Sequence, residues 1–161
     1  MNAQYAQCVS AGARSEPSVT TERDDAAYAN HPVVYVTRAQ ARTYVAWIGA
    51  LPTEAQWLRA CQGDDRRTYP WGDQPPDEAR ANVDGAVGRT APVGSYPAGA
   101  SPCGALDMAG NVWEWVDDGN VLVRGGAFGN DANYLACTTR YAAAGSVVHD
   151  NVGFRIVSST P

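Results

Sequence analysis

From Arg66 to Asn111 the chain runs through 46 residues, seven of them Gly and six Pro, with few periodic apolar positions. No helical or strand period can be laid over such a stretch. A segment of this kind inside a compact domain is functional, or is pinned by something other than a sheet ladder, such as a bound cation. The fold must therefore be one in which regular elements frame a long, fixed loop.

The material for that frame lies on either side. Thr37 and Gln40 in "TRAQARTYVAWIG" form a capping box, with Ala41, Tyr44, Val45 and Ile48 on one helical face and Gly49 as the stop. Thr53 and Gln56 repeat the device in "LPTEAQWLRACQG", where Trp57 and Cys61 lie four apart on the inward face and Gly63 ends the helix. Residues 1 to 30 read as helix then loop, and "HPVVYV" as a short apolar strand. Further strands are expected at "VWEWV", "VLVRGGAF" and "VGFRIVS", the first alternating so that Trp113 and Trp115 share one face and Glu114 takes the other. No internal repeat or linker divides the chain, so one domain over residues 1–161 is expected. With 161 residues, it can bury roughly two thirds of the surface its unfolded form exposes.

Composition excludes several classes. A net charge of -5 and the absence of any Lys argue against tracking a phosphate backbone, so no nucleic-acid partner is expected. No apolar run is long enough for a transmembrane segment, and the opening residues lack the apolar core of a signal peptide. Cys8, Cys61, Cys103 and Cys137 stand singly, which indicates neither a zinc site nor a dense disulfide framework. Buried free thiols are the expectation, with one long-range disulfide as the alternative.

The stretches "HPVVYVT", "LPTEAQWLRAC", "YPWGD", "TAPVGSYPAGASPCGALDMAGNVWEWV", "VLVRGGAF" and "NVGFRIV" occur in that order. Together they closely resemble the formylglycine-generating enzyme (sulfatase-modifying factor) domain, a variant of the C-type lectin fold. The resemblance implies an α+β, C-type lectin-like architecture with two short helices, small antiparallel sheets and long irregular loops. This chain lacks the strands that the family usually has before the "NAQY" element, and its connection between "WEWV" and "RGG" is cut to "DDGN". Which strand pairs with "VGFRIV" is thereby left open, and an unpaired edge would invite association.

Enzymes of the resembled family bind copper through two cysteines placed shortly after the "RGG" strand, soft ligands for a soft ion. Here Ala127, Phe128, Gly129, Asn130 and Asp131 follow Gly126, and Cys137 is the only thiol nearby. His31 sits in a dipeptide that the family shares, which marks it as structural. Ser146, His149 and Asp150 are neighbours in one loop without the surroundings of a catalytic triad. The chain is therefore expected to be non-catalytic, with no cofactor for catalysis.

The resemblance also implies a structural calcium ion near "DMAGNVWE", held by the Asp107 side chain, the carbonyls of Gly110 and Val112, and Glu114, all hard oxygen ligands. A second, weaker family site would draw on Asn82 and Asp84. The alternative is that Asp107 and Asn111 cap turns while Glu114 faces solvent or an arginine.

The C-terminal segment resembles a second branch of the same fold family, the variable proteins of diversity-generating retroelements. There, adenines of Asn codons are rewritten between fixed framework residues. Randomising both adenines of AAY yields fifteen amino acids but never Lys, Glu, Gln, Met or Trp. Residues 1–124 contain 18 of those five types; at that rate about five would fall in residues 125–161, which contain none. Gly129, Asn130, Asp131, Asn133, Tyr134, Thr139, Tyr141, Ala142, Ala143, Ala144, Ser146, Val147, His149, Asp150 and Asn151 are all reachable from AAY. Ala132, Leu135, Cys137, Arg140, Gly153, Phe154 and Arg155 interleave as framework. A scaffold of this kind can hold such positions while their side chains change, with Tyr134 and Tyr141 as contact anchors. The reading is a variable ligand-binding surface for a protein or glycan on another cell or particle, on a protein expected to be secreted or displayed on a surface or virion. The competing readings are a catalytically dead module of the sulfatase-modifying-factor type, with an ordinary irregular loop of fixed specificity, and, behind it, a formylglycine-generating-type oxidoreductase.

Overall fold

The structure is a computed structural model that describes residues 1–10, 16–119 and 122–158. Its regular elements are few. Helices α1 (Asn2–Ser10), the one-turn α2 (Thr21–Asp24), α3 (Arg38–Val45) and α4 (Glu54–Gln62) precede four three-residue strands: β1 (Trp113–Trp115), β2 (Leu122–Arg124), β3 (Arg140–Ala142) and β4 (Val152–Phe154).

Both capping boxes form. Thr37 Oγ1 accepts from the Gln40 amide while the Gln40 side chain accepts from the Thr37 amide, and Thr53 and Gln56 do the same at α4. Each box satisfies two backbone N–H groups that the first helical turn leaves without partners. Gly63 ends α4 with φ 66°, the left-handed conformation that a Cβ disfavours.

The strands form one sheet in the order β3-β2-β1-β4. β1–β2 and β2–β3 are antiparallel, but β4 lies parallel to β1, with Trp113 opposite Val152 and Trp115 opposite Phe154. The sheet is thus mixed, not antiparallel as expected, and this parallel pairing answers which strand holds "VGFRIV". Beyond β4, Val157 bridges to Ala50.

Registration assigns the two faces. Trp113, Trp115, Val123 and Val152 share the face that packs on Tyr5 and Cys8 of α1 and Ala41, Tyr44 and Val45 of α3. On the other face, Leu122 packs with Trp57 and Cys61 of α4, together with Met108, Val116 and Cys137. Glu114, Arg124 and Arg140 are aligned there by register. Arg124 is ion-paired to Glu54 and stacks over the Trp57 ring at 5.9 Å.

Three further expectations change. "HPVVYV" is no strand: Tyr35 takes φ 57°, breaking the pleat, and its amide donates to the His149 carbonyl rather than entering a ladder. Between "VLVRGGAF" and "VGFRIVS", where no regular element was expected, lie β3 and a 3-10 turn at Ala132–Tyr134. Cys61 and Cys137 form a disulfide across 76 residues, while Cys8 is free and buried and Cys103 free and exposed. Val121, expected to open the second strand, lies outside the described residues.

The long irregular segment is fixed by side chains. Asn111, at φ 64°, accepts from the Ala91 amide and donates to the Ala91 carbonyl, while Asn82 donates to the Arg89 carbonyl and to Asn111 Oδ1. Arg155 reaches back from beyond β4 to the carbonyls of Leu106 and Asp107. Buried amides and a guanidinium thereby pair backbone groups that a sheet ladder would otherwise have to satisfy.

Candidate functional site

An open cup of about 400 Å³ lies on the sheet over Trp113. Val123 and Val152 floor it beside Trp113. Its wall is the turn from Tyr141 through Ala144, then Val147, His149 and Asn151. Register explains the construction. Val123 is paired with Tyr141 across β2–β3, and Trp113 with Val152 across β1–β4, so residues distant in sequence face one space. The Tyr141 ring stands 6.2 Å from that of Trp113, tilted by 42°, and Tyr134 meets Trp113 edge-on at 6.3 Å. Trp113 itself is 7% exposed, whereas Tyr134 and Tyr141 are 42% and 60% exposed, leaving aromatic area open to a ligand.

The fifteen AAY-type positions are all exposed or half-buried. Tyr141, Ala142, Ala143, Ala144, Val147, His149 and Asn151 converge on the cup. Gly129, Asn130, Asp131 and Asn133 do not. They border the loop at Asp84, where the Asn130 carbonyl accepts a hydrogen bond from the Asp84 amide and Asp131 caps the 3-10 turn. Tyr134 and Thr139 fall between the two groups, Thr139 donating to the Asn133 carbonyl. Ser146 and Asp150 are exposed, and no hydrogen bond joins Ser146, His149 and Asp150 side chains among the described residues. Of the framework positions, Leu135, Cys137 and Gly153 are buried. His31 is buried, its Nδ1 2.8 Å from Thr90 Oγ1, in keeping with a structural role. Burial, then the nearby Arg89, hold its imidazole pKa below the usual value.

In the first expected calcium site, Glu114 has no free oxygen for a cation. Glu114 Oε2 accepts from Trp57 Nε1 at 2.7 Å and Arg155 Nε at 2.5 Å, and its Oε1 accepts from Arg155 Nη2 at 2.7 Å. Both carboxylate oxygens are taken by donors, and a guanidinium already supplies the positive charge. Asp107 accepts from the Gly94 amide, and the Gly110 amide donates to the Gly125 carbonyl. The second site fits better: Asn82 is 1% exposed, and its Oδ1 is buried without a hydrogen-bond partner among the described residues. An orphaned amide oxygen is a suitable calcium ligand. Among the described residues no three His, Cys, Asp or Glu side chains cluster as a metal site, so a cation at Asn82 would draw on backbone carbonyls.

Comparison with known proteins places this geometry. Residues 1–160 match the sulfatase-modifying factor enzyme 1-like domain, and the chain belongs to that family. It is 55% identical over 91 residues to a hercynine oxygenase of Mycolicibacterium thermoresistibile, a match covering 53% of this chain and 20% of that protein. With a formylglycine-generating enzyme of Mycobacterium tuberculosis it shares 45% identity over 108 residues, 58% of this chain and 36% of the enzyme. The chain thus spans between a fifth and about a third of the length of these relatives. Among solved structures, Treponema denticola variable protein 1 superposes with a TM-score of 0.64 at 18% identity, covering 88% of this chain and 74% of that one, which bears out the C-type lectin-like α+β fold.

These relatives overturn the expectation of a non-catalytic chain, because proteins that match it at 52–55% identity are named as oxygenases and point to an enzyme. A missing thiol pair after the "RGG" strand speaks only to chemistry that needs one. Two residues of the site region carried no functional signal in the sequence. Trp113 was legible only as core, and Arg155 only as framework; the alternation in "VWEWV" was the signal that set Trp113 and Glu114 on opposite faces.

Proposed function

We propose that this chain is a substrate-recognition domain of an oxygenase-type enzyme, with the cup over Trp113 receiving the ligand. The observation that carries the reading is the 55% identity to a hercynine oxygenase. The matched part is about a fifth of that protein, so the proposal concerns recognition and not the oxygen chemistry itself. The cup suits the role. It offers an apolar floor, an exposed aromatic wall at Tyr141, and His149 and Asn151 as polar groups to orient a small molecule. Calorimetric titration of the chain with hercynine tests the reading. Saturable binding, weakened at least tenfold in Tyr141→Ala, is expected; no binding to the wild type, or binding unchanged in that variant, would refute it.

A second reading is favoured by a separate observation, the absence of Lys, Glu, Gln, Met and Trp from residues 125–161 together with the exposure of all fifteen AAY-type positions. On this reading the surface is diversified by a retroelement and takes a protein or glycan ligand on another cell or particle, from a secreted, surface-displayed or virion-borne protein. The Treponema neighbour supports it at the level of fold. Sequencing the coding region for residues 120–161 across the source population tests it: substitutions confined to the AAY-type positions support diversification, and uniform sequence without a template repeat removes it. On either reading, we propose that a calcium ion bound through Asn82 steadies the loop beneath.

A further inference from the structure

Alternation along the strands sorts the charges of the sheet. Glu114, Arg124 and Arg140 are aligned on the α4 face, where Arg124 pairs with Glu54 and Arg140 Nη1 lies 3.5 Å from the same carboxylate. Their strand neighbours Trp113, Val123 and Tyr141 therefore take the opposite face and line the cup. The wall adds no charge. Ala142, Ala143, Ala144 and Val147 end in methyl groups, and Asp150 stays out of the lining although its neighbours His149 and Asn151 belong to it. His149 apart, no acidic or basic side chain among the described residues lines this space.

A charged group brought into the cup would lose its water and meet no counter-ion, which is costly. An uncharged ring loses little on entry and gains contact with the tilted, 60% exposed Tyr141 ring and with Trp113. A polar atom on its edge finds partners in His149 and Asn151, whose side chains make no hydrogen bond among the described residues. Ala143 is half-buried and packs against the core cluster that holds Trp113, so a longer side chain there would enter the cup. We propose that the cup admits an uncharged aromatic ring with one hydrogen-bonding atom at its edge, that charged groups of the same ligand stay outside, and that Ala143 sets this preference. The proposal rests on the reading of the cup as the ligand site and adds which part of the ligand enters it.

The test is titration of the whole chain with three rings of one size, p-cresol, 4-methylbenzoate and 4-methylbenzylammonium, followed by amide NMR shifts at Val123 and Ala143. Saturable shifts are expected with p-cresol, and binding at least tenfold weaker with both charged rings. Ala143→Asp should weaken p-cresol at least tenfold and make 4-methylbenzylammonium the tighter of the two. Ala143→Asn, of the same size without the charge, should keep the wild-type order. Equal affinity of the wild type for the three rings, an unchanged order in Ala143→Asp, or no shift at the cup with any ring would overturn the proposal. Hercynine separates it from the oxygenase reading. A preference for p-cresol without hercynine binding leaves the proposal and removes that reading, whereas hercynine bound at the cup with no preference among the rings does the reverse.

Discussion

Arg155 and Glu114 form a bidentate ion pair, with Nε and Nη2 of the guanidinium on the two carboxylate oxygens at 2.5 and 2.7 Å. Their side chains are 22% and 6% exposed, and Arg155 also holds the carbonyls of Leu106 and Asp107, so one residue neutralises a buried acid and anchors the long loop. Arg155→Ala leaves Glu114 buried without its charge partner and should cost about 3–5 kcal/mol. Glu114→Gln should cost less, because Trp57 Nε1 keeps an acceptor. Urea unfolding of both variants checks this; a loss below about 1 kcal/mol in Arg155→Ala would contradict the anchoring role.

What was legible in the sequence was local. The two capping boxes depend on residues three apart, so Thr37 with Gln40 and Thr53 with Gln56 announced α3 and α4 and their starting points. The strand at 113–115 showed in its alternation. The failures were tertiary. "HPVVYV" has strand composition, yet its neighbours offer no ladder and Tyr35 turns the backbone aside. β3 became visible only through β2, since its own residues Arg140, Tyr141 and Ala142 are all exposed and carry no alternation of burial. In the candidate site, the exposed residues lie close together in the sequence, but the cup needs Trp113, Val123 and Val152, which only strand register brings to them.

The Cys61–Cys137 disulfide ties α4 to the segment that follows β2 and closes a loop of 76 residues' separation. Constraint of the unfolded chain by a loop of that length is worth about 4 kcal/mol. The double variant Cys61→Ala/Cys137→Ala should lose stability of that order in urea, with little further change on adding reductant. Wild type and double variant unfolding at the same midpoint under oxidising conditions would show that the bridge contributes nothing.

Tyr134 and Tyr141 are exposed beside a buried Trp113, so their removal should affect recognition more than folding. Tyr134→Ala/Tyr141→Ala is expected to shift the thermal midpoint by only a few degrees, while ligand binding at the cup is lost. A collapse of thermal stability would instead assign both rings to the core.

His31 supplies a pH dependence. Burial and then Arg89 hold its folded pKa below the unfolded value near 6.5. Below that unfolded value the unfolded chain binds the proton more readily than the folded one. His31's contribution is therefore constant above about pH 6.5 and is lost progressively as pH falls toward the folded pKa. Stability measured by urea between pH 7.5 and 5 should decline for the wild type and decline less for His31→Gln, whose amide can still reach Thr90 but does not titrate. Parallel curves for the two proteins would remove His31 from the explanation.

Calcium gives the last test, because the two sites that the resemblance implies behave differently in this chain. At Glu114 an arginine takes both oxygens, whereas Asn82 Oδ1 is buried with no donor among the described residues. Millimolar calcium should raise the thermal midpoint of the wild type, since a ligand bound only to the folded state stabilises it by mass action. Asn82→Ala should abolish that rise, and Glu114→Gln should retain it. The opposite pattern, with the rise lost in Glu114→Gln and kept in Asn82→Ala, would return the metal to the turn at Asp107 and require Arg155 to move aside when calcium binds.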